Sequence, residues 1–442
     1  MTMKKQLLLL VMMLLPLVAS ADAVEIDGIY YNLFTESNVA EVTSNPNKYM
    51  GSIVIPASVN YNNVTYSVTS IGESAFSECF GLTSVTIGNN VMRIGEGAFW
   101  HCSGLTSITI GNSVTSIDMY AFSGCSGLTS VTIPNSVTSI GIYAFRDCFG
   151  LISITIGNSV TRIGNGVFHS CSNLTSVIIP NSVTSIGGKA FELCSSLTSV
   201  TIGNSVTSID EGVFNDCRIE SILTRNAKTT FNSKAFSDRT YQHAMLYIPE
   251  GTWGEAVYDS YWYKFYNIRE VAMKTDDLSS SQAYTLMDTN TFGYAVYDGT
   301  SDEVKMVKAF YSINEQDPNN CWLIKTKADK KYLFNLGAKK YAIINADGRI
   351  TLTENETAIE VREDDNSIML GADTNHQWGF VKNNSQPDIT GVSAQMFSSE
   401  QNADSYYSLD GQHKQSPHKG LNIVRMNDGT TKKIVRIVGT VF

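Results

Sequence analysis

Histidine is scarce in this chain, with 6 residues in 442. None of them (His101, His169, His243, His376, His413, His418) sits in an HExxH or comparable ligand spacing, so zinc-dependent hydrolysis has no support. A GxSxG elbow, a Walker loop and a GxGxxG between strand and helix are missing as well, which removes the grounds for serine-hydrolase, nucleotide-triphosphate or dinucleotide chemistry. Positive charge is in deficit: Lys+Arg 32 against Asp+Glu 42 leaves a net charge of -10, without the basic excess that phosphate backbones demand, and nucleic acid is not an expected partner. Carboxylates are scattered, and the run Glu360, Arg362, Glu363, Asp364 and Asp365 reads as a solvated loop. No catalytic residue, metal ligand or cofactor is expected.

Long apolar runs are also missing, apart from one at the N-terminus. There Lys4 and Lys5 precede Leu7 to Val18, and Ala19-Ser20-Ala21 follows, the layout of a secretory signal peptide over residues 1–21. That run is shorter than the about 18 residues a membrane helix needs, and no later segment reaches the length, so no transmembrane helix is expected in the mature chain. No cysteine lies at Ala21-Asp22-Ala23, which leaves a lipid no attachment point. The expectation is a secreted or surface protein that is not a lipoprotein. About 420 mature residues have room for roughly three domains.

What is abundant is repetition. Leu82, Leu105, Leu128, Leu151, Leu174 and Leu197 recur every 23 residues, and Ile87, Ile110, Ile133, Ile156, Ile179 and Ile202 keep step with them. So do Phe99, Phe122, Phe145, Phe168, Phe191 and Phe214. Within a unit, Val85 and Ile87 alternate with Ser84 and Thr86, the period of a half-buried strand. A Gly-Asn or Pro-Asn turn follows, then a second short strand over Val91 to Ile94, then a helical or tightly turned third side around the Phe. A coil this small buries too little to stand alone, whereas stacked coils share one continuous core.

Seven cysteines share one column: Cys79, Cys102, Cys125, Cys148, Cys171, Cys194 and Cys217. Equivalent side chains in stacked coils point parallel, and seven cannot all pair, so buried thiols acting as small packers are expected rather than disulfides. A metal column is not expected, because His101 and His169 occur in only two coils.

Leucine, paired Val/Ile strands, Ile-Gly, Ala-Phe and Cys at this period resemble the BspA-type leucine-rich repeats of Bacteroides-group and other mucosal microbes. The likeness covers about residues 52–270, and its closing segment, Leu246-Tyr-Ile-Pro249 through Phe265-Tyr-Asn-Ile268, is similar to the family's. It implies adhesion to macromolecules of a host or a neighbouring cell. The expected organisation is a mainly β chain: an N-terminal cap over 22–69, with Tyr30, Tyr31, Tyr61 and Tyr66 available to close the core; repeats over 70–218; a C-terminal cap over 219–272; and a linker at 274–281. An all-β module over 283–382 follows, faintly similar to β-trefoil sugar binders. The stretch 390–442 resembles the small β-sandwich sorting or attachment domains of exported Bacteroides-group proteins, and would supply outer-surface attachment.

Columns that vary between coils are where a ligand could be distinguished. Variation concentrates beside the Phe column, at Trp100, His101, Met119, Tyr120, Tyr143, Arg146 and His169, which are also readable as ordinary loop positions. Large amphipathic and Arg side chains favour interfaces. A second candidate is the outward row of first strands: Ser84 and Thr86, Ser107 and Thr109, Ser130 and Thr132, Ser153 and Thr155, Ser199 and Thr201. Exposed strands also need such residues for solubility. The function expected is protein binding through the repeats, with extracellular proteins as ligands; the alternative is a glycan-binding surface protein in which the repeats act as a spacer. The oligomeric state is left open.

Overall fold

The computed structural model describes residues 23–383, except 254–255, 257–260, 275–277, 279–281, 309–312, 328, 365–366 and 374, together with strands at 405–407, 413–414, 420–425 and 431–436. The expected signal peptide and most of the expected linker lie outside the described residues. Nearly every described element is a strand. Among the described residues no helix is long and apolar enough to cross a membrane.

Each 23-residue unit makes one coil with three sides. The first strands of successive coils pair in parallel and in register within three ladders, Ser84 with Ser107, Ser130 with Ser153, and Ser176 with Ser199. The second strand is shorter than its apolar pattern suggests, two residues in each coil, as in Arg93–Ile94 and Ser116–Ile117. The third side is turned rather than helical. It is nonetheless a ladder: the Phe99 N–H donates to the Ala121 carbonyl at 2.7 Å, Phe122 to Ala144 at 2.7 Å and Phe145 to Val167 at 2.8 Å. All three sides therefore satisfy their backbone groups by stacking on a neighbour, which no isolated coil can do.

The apolar columns form one core running from Ile29 to Ile268. Its axis is a column of rings. Phe76, Phe99, Phe122, Phe145, Phe168, Phe191, Phe214 and Phe236 follow one another at centroid spacings of 4.8 to 5.5 Å, tilted by no more than 17°. The spacing is that of the strands, about 4.8 Å, so backbone pairing dictates the ring stack.

All eight cysteines are buried and free. Their thiols do more than fill space. Cys125 Sγ donates to the Phe99 carbonyl of the previous coil at 3.1 Å, Cys148 to Phe122 at 3.2 Å and Cys171 to Phe145 at 3.2 Å. The same Phe99 carbonyl also accepts the Cys102 N–H of its own coil at 3.2 Å. From Cys102 to Cys217 each cysteine of the column thus saturates a carbonyl that burial has cut off from water, which explains a residue that is both small and a donor. Cys79 in the first coil instead accepts the Tyr49 N–H at 3.3 Å.

The two ends are closed differently. At the N-terminus Val24–Ile26, Ile29–Phe34 and Val39–Val42 form an antiparallel meander that joins Val64–Ile71 and, through it, the row of second strands. Tyr31 and Tyr66 are buried here, Tyr30 is half-buried and Tyr61 is exposed. Tyr49, which the sequence does not single out, covers the first ring of the column at 4.4 Å from Phe76. At the other end Phe231, Tyr241, Trp262 and Phe265 surround Phe236 with tilted or edge-on rings and end the stack.

The strand row continues past the repeats. Ser221–Thr224, Met245–Pro249 and Asn267–Ala272 extend it, and Trp378–Lys382 then pairs antiparallel with Asn267–Ala272, followed by Tyr284–Asp288. A strand from the following all-β segment therefore covers what would be an exposed edge. That segment also packs onto the outer face of the last strands: Leu223, Met245, Tyr247 and Val271 cluster with Met287, Phe292, Tyr294 and Val381. The Tyr247 and Tyr294 hydroxyls hydrogen-bond, Thr201 Oγ1 donates to the Thr289 carbonyl at 3.3 Å, and Arg225 reaches Gln377 Oε1 at 2.5 Å. Gln377 and Trp378, adjacent in the sequence, thus serve packing: Trp378 is fully buried. Residues 388–442 form a separate unit, in which Ser405–Tyr407, His413–Lys414, Gly420–Arg425 and Thr431–Arg436 make one antiparallel sheet.

Two outcomes follow for stability. Phe145→Ala removes a fully buried ring from the middle of the stack and should cost about 3–5 kcal/mol, read from equilibrium urea unfolding. The thiols set an alkaline limit. Burial pushes the Cys194 thiol from its ordinary 9.0 up to about 12, and raises those of Cys171 and Cys217 in the same direction. Above pH 9 the unfolded chain loses these protons while the folded one keeps them, so unfolding free energy should fall steadily from about pH 9 toward 12. A Cys→Ala variant at 194 should shallow that fall, and native thiols should resist labelling by a disulfide reagent.

Candidate binding face on the turn side

The varied residues beside the Phe column all lie on the turned side of the stack. Two backbone positions per coil shape it, because both are left-handed. One column reads Gly97, Tyr120, Tyr143, Gly166, Lys189 and Gly212, with φ between 56° and 71°. The other reads His101, Gly124, Asp147, Ser170, Leu193 and Asp216, with φ between 55° and 77°. A left-handed residue with a Cβ costs roughly 1–2 kcal/mol, and glycine avoids that cost. Tyr120 and Tyr143 are held there as Lys189 is, in a column where Gly97, Gly166 and Gly212 stand in other coils, whereas in the column of His101 glycine occurs once, at Gly124. The left-handed turn is thus a regular feature of the coil, which the stacking of its neighbours holds in place whether or not the residue is glycine.

The aromatic side chains lean toward the following coil, and glycine makes room for them. A Cβ on Gly166 would run into the Tyr143 ring, and one on Gly124 would stand 3.0 Å from the His101 ring. Tyr120 leans the same way and meets Tyr143 instead, so the two rings stack at 5.5 Å and 11°. The Arg146 guanidinium lies over the Tyr143 ring, 5.3 Å from its centroid, in cation–π contact. Its Nε is 3.1 Å from the Asp147 carboxylate. His169 stands edge-on to Tyr143 at 6.3 Å.

Charge fixes the rest of the face. His169 Nε2 is 3.2 Å from Glu192 and its Nδ1 is 2.9 Å from the Ser170 hydroxyl, so both ring nitrogens have partners. Lys189 shares Glu192 at 3.3 Å. At the N-terminal end Trp100 stands edge-on to His101 at 4.2 Å and is 38% exposed. Met119 is half-buried, its carbonyl accepting the Gly97 N–H at 2.9 Å.

Trp100, His101, Tyr120 and Arg146 line one cleft of about 470 Å³, with Glu73, Glu96 and Asp147. Met119, Tyr143 and His169 stand outside it: Tyr143 and His169 belong to the ring cluster behind Tyr120. Sequence reasoning passed over Glu73 and Glu96. They occupy one column of the 23-residue register, two carboxylates one coil apart, and that alignment was the signal available. The hydroxyl row of the first strands lines a second, broader depression of about 730 Å³ with Ser130, Thr132, Thr155, Asn112 and Asn135. Thr201 does not share in it, being covered by Thr289. Among the described residues no group of three or more His, Cys, Asp or Glu is placed to hold a metal ion.

A protein-family model described as BspA type leucine-rich repeat region matches in six copies over 55–175, 115–242 and 161–290. No curated protein matches the chain. Among solved structures, a leucine-rich repeat protein from Bacteroides ovatus is 26% identical, with 56% of this chain and 76% of that one covered at a TM-score of 0.35. A leucine rich cell surface protein from Faecalibacterium prausnitzii is 21% identical, with 57% and 95% covered and a TM-score of 0.35. The leucine-rich repeat protein of T. pallidum is 21% identical, with 55% and 99% covered and a TM-score of 0.34.

Gly166→Ala tests how the face is built. The added Cβ meets both a left-handed backbone and the Tyr143 ring. A loss of about 1–2 kcal/mol on unfolding is expected. Displacement of Tyr143 should also appear as altered near-ultraviolet circular dichroism.

Proposed function

The chain belongs to the BspA-type leucine-rich repeat family, and from that premise we propose that it is an adhesin-like protein of the bacterial surface, binding extracellular proteins through the turn side of its solenoid. Catalysis has no part in this reading: the chain lacks the catalytic motifs, and a repeat scaffold offers a surface rather than a reactive site. Export would come from the segment 1–21 and attachment from 390–442.

The observation that carries the reading is the strained aromatic cluster. Tyr120 and Tyr143 keep left-handed backbones, stack on each other and hold Arg146 against the pair. Tyrosine and arginine dominate binding energy at protein interfaces because they bring large area and a polar end at little entropic cost. Here they are also pre-ordered, which lowers the cost of association further.

A glycan-binding reading rests on a different observation, the open depression among the hydroxyls of Ser130, Thr132 and Thr155. The two readings place the ligand on different sides of the same coils, so one set of variants separates them.

Surface plasmon resonance of the intact mature chain against immobilised matrix proteins and glycans is the test. The triple variant Tyr120→Ala, Tyr143→Ala, Arg146→Ala should weaken protein capture by a factor of about 10–100, the range of a few kcal/mol lost at a hot spot. Retention of full affinity by that variant, or binding confined to sugars and lost on altering Ser130 and Thr132, would sink the adhesin reading.

A further inference from the structure

The cleft beside Tyr120 exists because the tyrosine column stops. Tyr143 carries Tyr120 on one side, but the position before Tyr120 is Gly97, whose N–H bonds to the coil of Tyr120 through the Met119 carbonyl at 2.9 Å. A ring at 97 would lean over Tyr120 as Tyr120 leans over Tyr143. With glycine there, the space of that third ring is the cleft, and Gly97 and Tyr120 both line it.

Its charge is unbalanced. Of the carboxylates in the lining, Asp147 already has Arg146 at 3.1 Å. Glu73 and Glu96 are exposed and stand in successive coils, placed side by side where the Ser74 N–H donates to the Glu96 carbonyl at 2.9 Å. Neither has a cationic partner among the described residues, and Arg93 is held by Asp118 at 2.5 Å. Two like charges in register on the turns of neighbouring coils repel each other, and a cation placed between them relieves that. The face of an aromatic ring attracts a cation as well.

We propose that this cleft receives a lysine or arginine side chain of an extracellular protein partner, seated on the open face of Tyr120 between Glu73 and Glu96. The proposal deepens the adhesin reading and rests on it, since it names the chemistry the turn side selects. Sugars fit less well. A pyranose stacks on a free, flat ring face, and here Tyr143 already contacts both Tyr120 and Arg146 while Trp100 stands edge-on to His101. With Arg146 beside Asp147, the cleft keeps the Tyr120 ring next to the two carboxylates of Glu73 and Glu96, a setting that favours positive charge over a neutral ring of hydroxyls.

Isothermal titration of the intact mature chain tests this with three probes: acetyl-Gly-Arg-Gly-Arg-Gly-amide, the same peptide with Gln for Arg, and maltohexaose. The arginine peptide should bind and the glutamine peptide should not, with affinity falling between about 50 and about 300 mM salt as screening shortens the reach of the carboxylates. The decisive variant is Gly97→Tyr, which places a third ring where the cation would sit; its left-handed backbone is one that tyrosine already adopts at 120 and 143. It should weaken the arginine peptide tenfold or more. Glu73→Gln with Glu96→Gln should do the same without adding bulk, and serves if the tyrosine variant fails to fold as judged by its melting curve.

Arginine-peptide binding that survives both variants would overturn the proposal, as would no binding at all. Maltohexaose binding lost in Gly97→Tyr would overturn it in favour of a sugar subsite. None of these results touches the adhesin reading itself, which fails separately if matrix-protein capture ignores Tyr120, Tyr143 and Arg146.

Discussion

Everything in this molecule depends on a coil that cannot satisfy its own backbone. The Phe99 N–H finds its acceptor in the next coil and the Phe99 carbonyl receives the thiol of Cys125, again from the next coil. Because each bond crosses between coils at the strand spacing of about 4.8 Å, the side chains are forced into register behind it. The stacked phenylalanines are the result. The interior is therefore invariant by necessity: a residue that changed size or lost a donor would be felt in two neighbouring coils at once.

That necessity leaves the outside free to vary, though unequally. The first-strand side has alternating residues whose outward row is hydroxyl-bearing, and toward its C-terminal end the following all-β segment covers it, burying Thr201. Among the described residues of 23–383, no strand is paired or packed over the turn side from Trp100 to His169. Its left-handed positions favour glycine on backbone grounds, yet larger residues occupy them in most coils. Tyr143 and His101 are distinguished by their surroundings, since Gly166 and Gly124 in the following coil give their rings somewhere to lie.

Much of this could be read in advance. A 23-residue period with leucine, isoleucine, phenylalanine and cysteine in separate columns identifies a stacked coil, its strand sides and its core, because periodicity in sequence becomes translation in space. The set Trp100, His101, Tyr120, Tyr143 and Arg146 was also visible, as departures from the repeat. What was not visible was relation between coils. Cysteine reads as a small apolar residue until the Phe carbonyl behind it is seen, and the third side reads as helix or turn until its cross-coil ladder appears.

The amino-acid sequence by itself determined the architecture, since each residue type in a column has one environment and the repeat copies it along the stack. Tertiary structure decided what the period cannot encode. It placed Tyr49 over the first ring, although Tyr49 belongs to no column. It brought Trp378–Lys382 back across more than a hundred residues to cover the edge of Asn267–Ala272, a pairing set by an unsatisfied strand edge and not by any local pattern. It also turned a missing side chain at Gly97 into a cleft, because an absence has shape only once its neighbours are fixed around it.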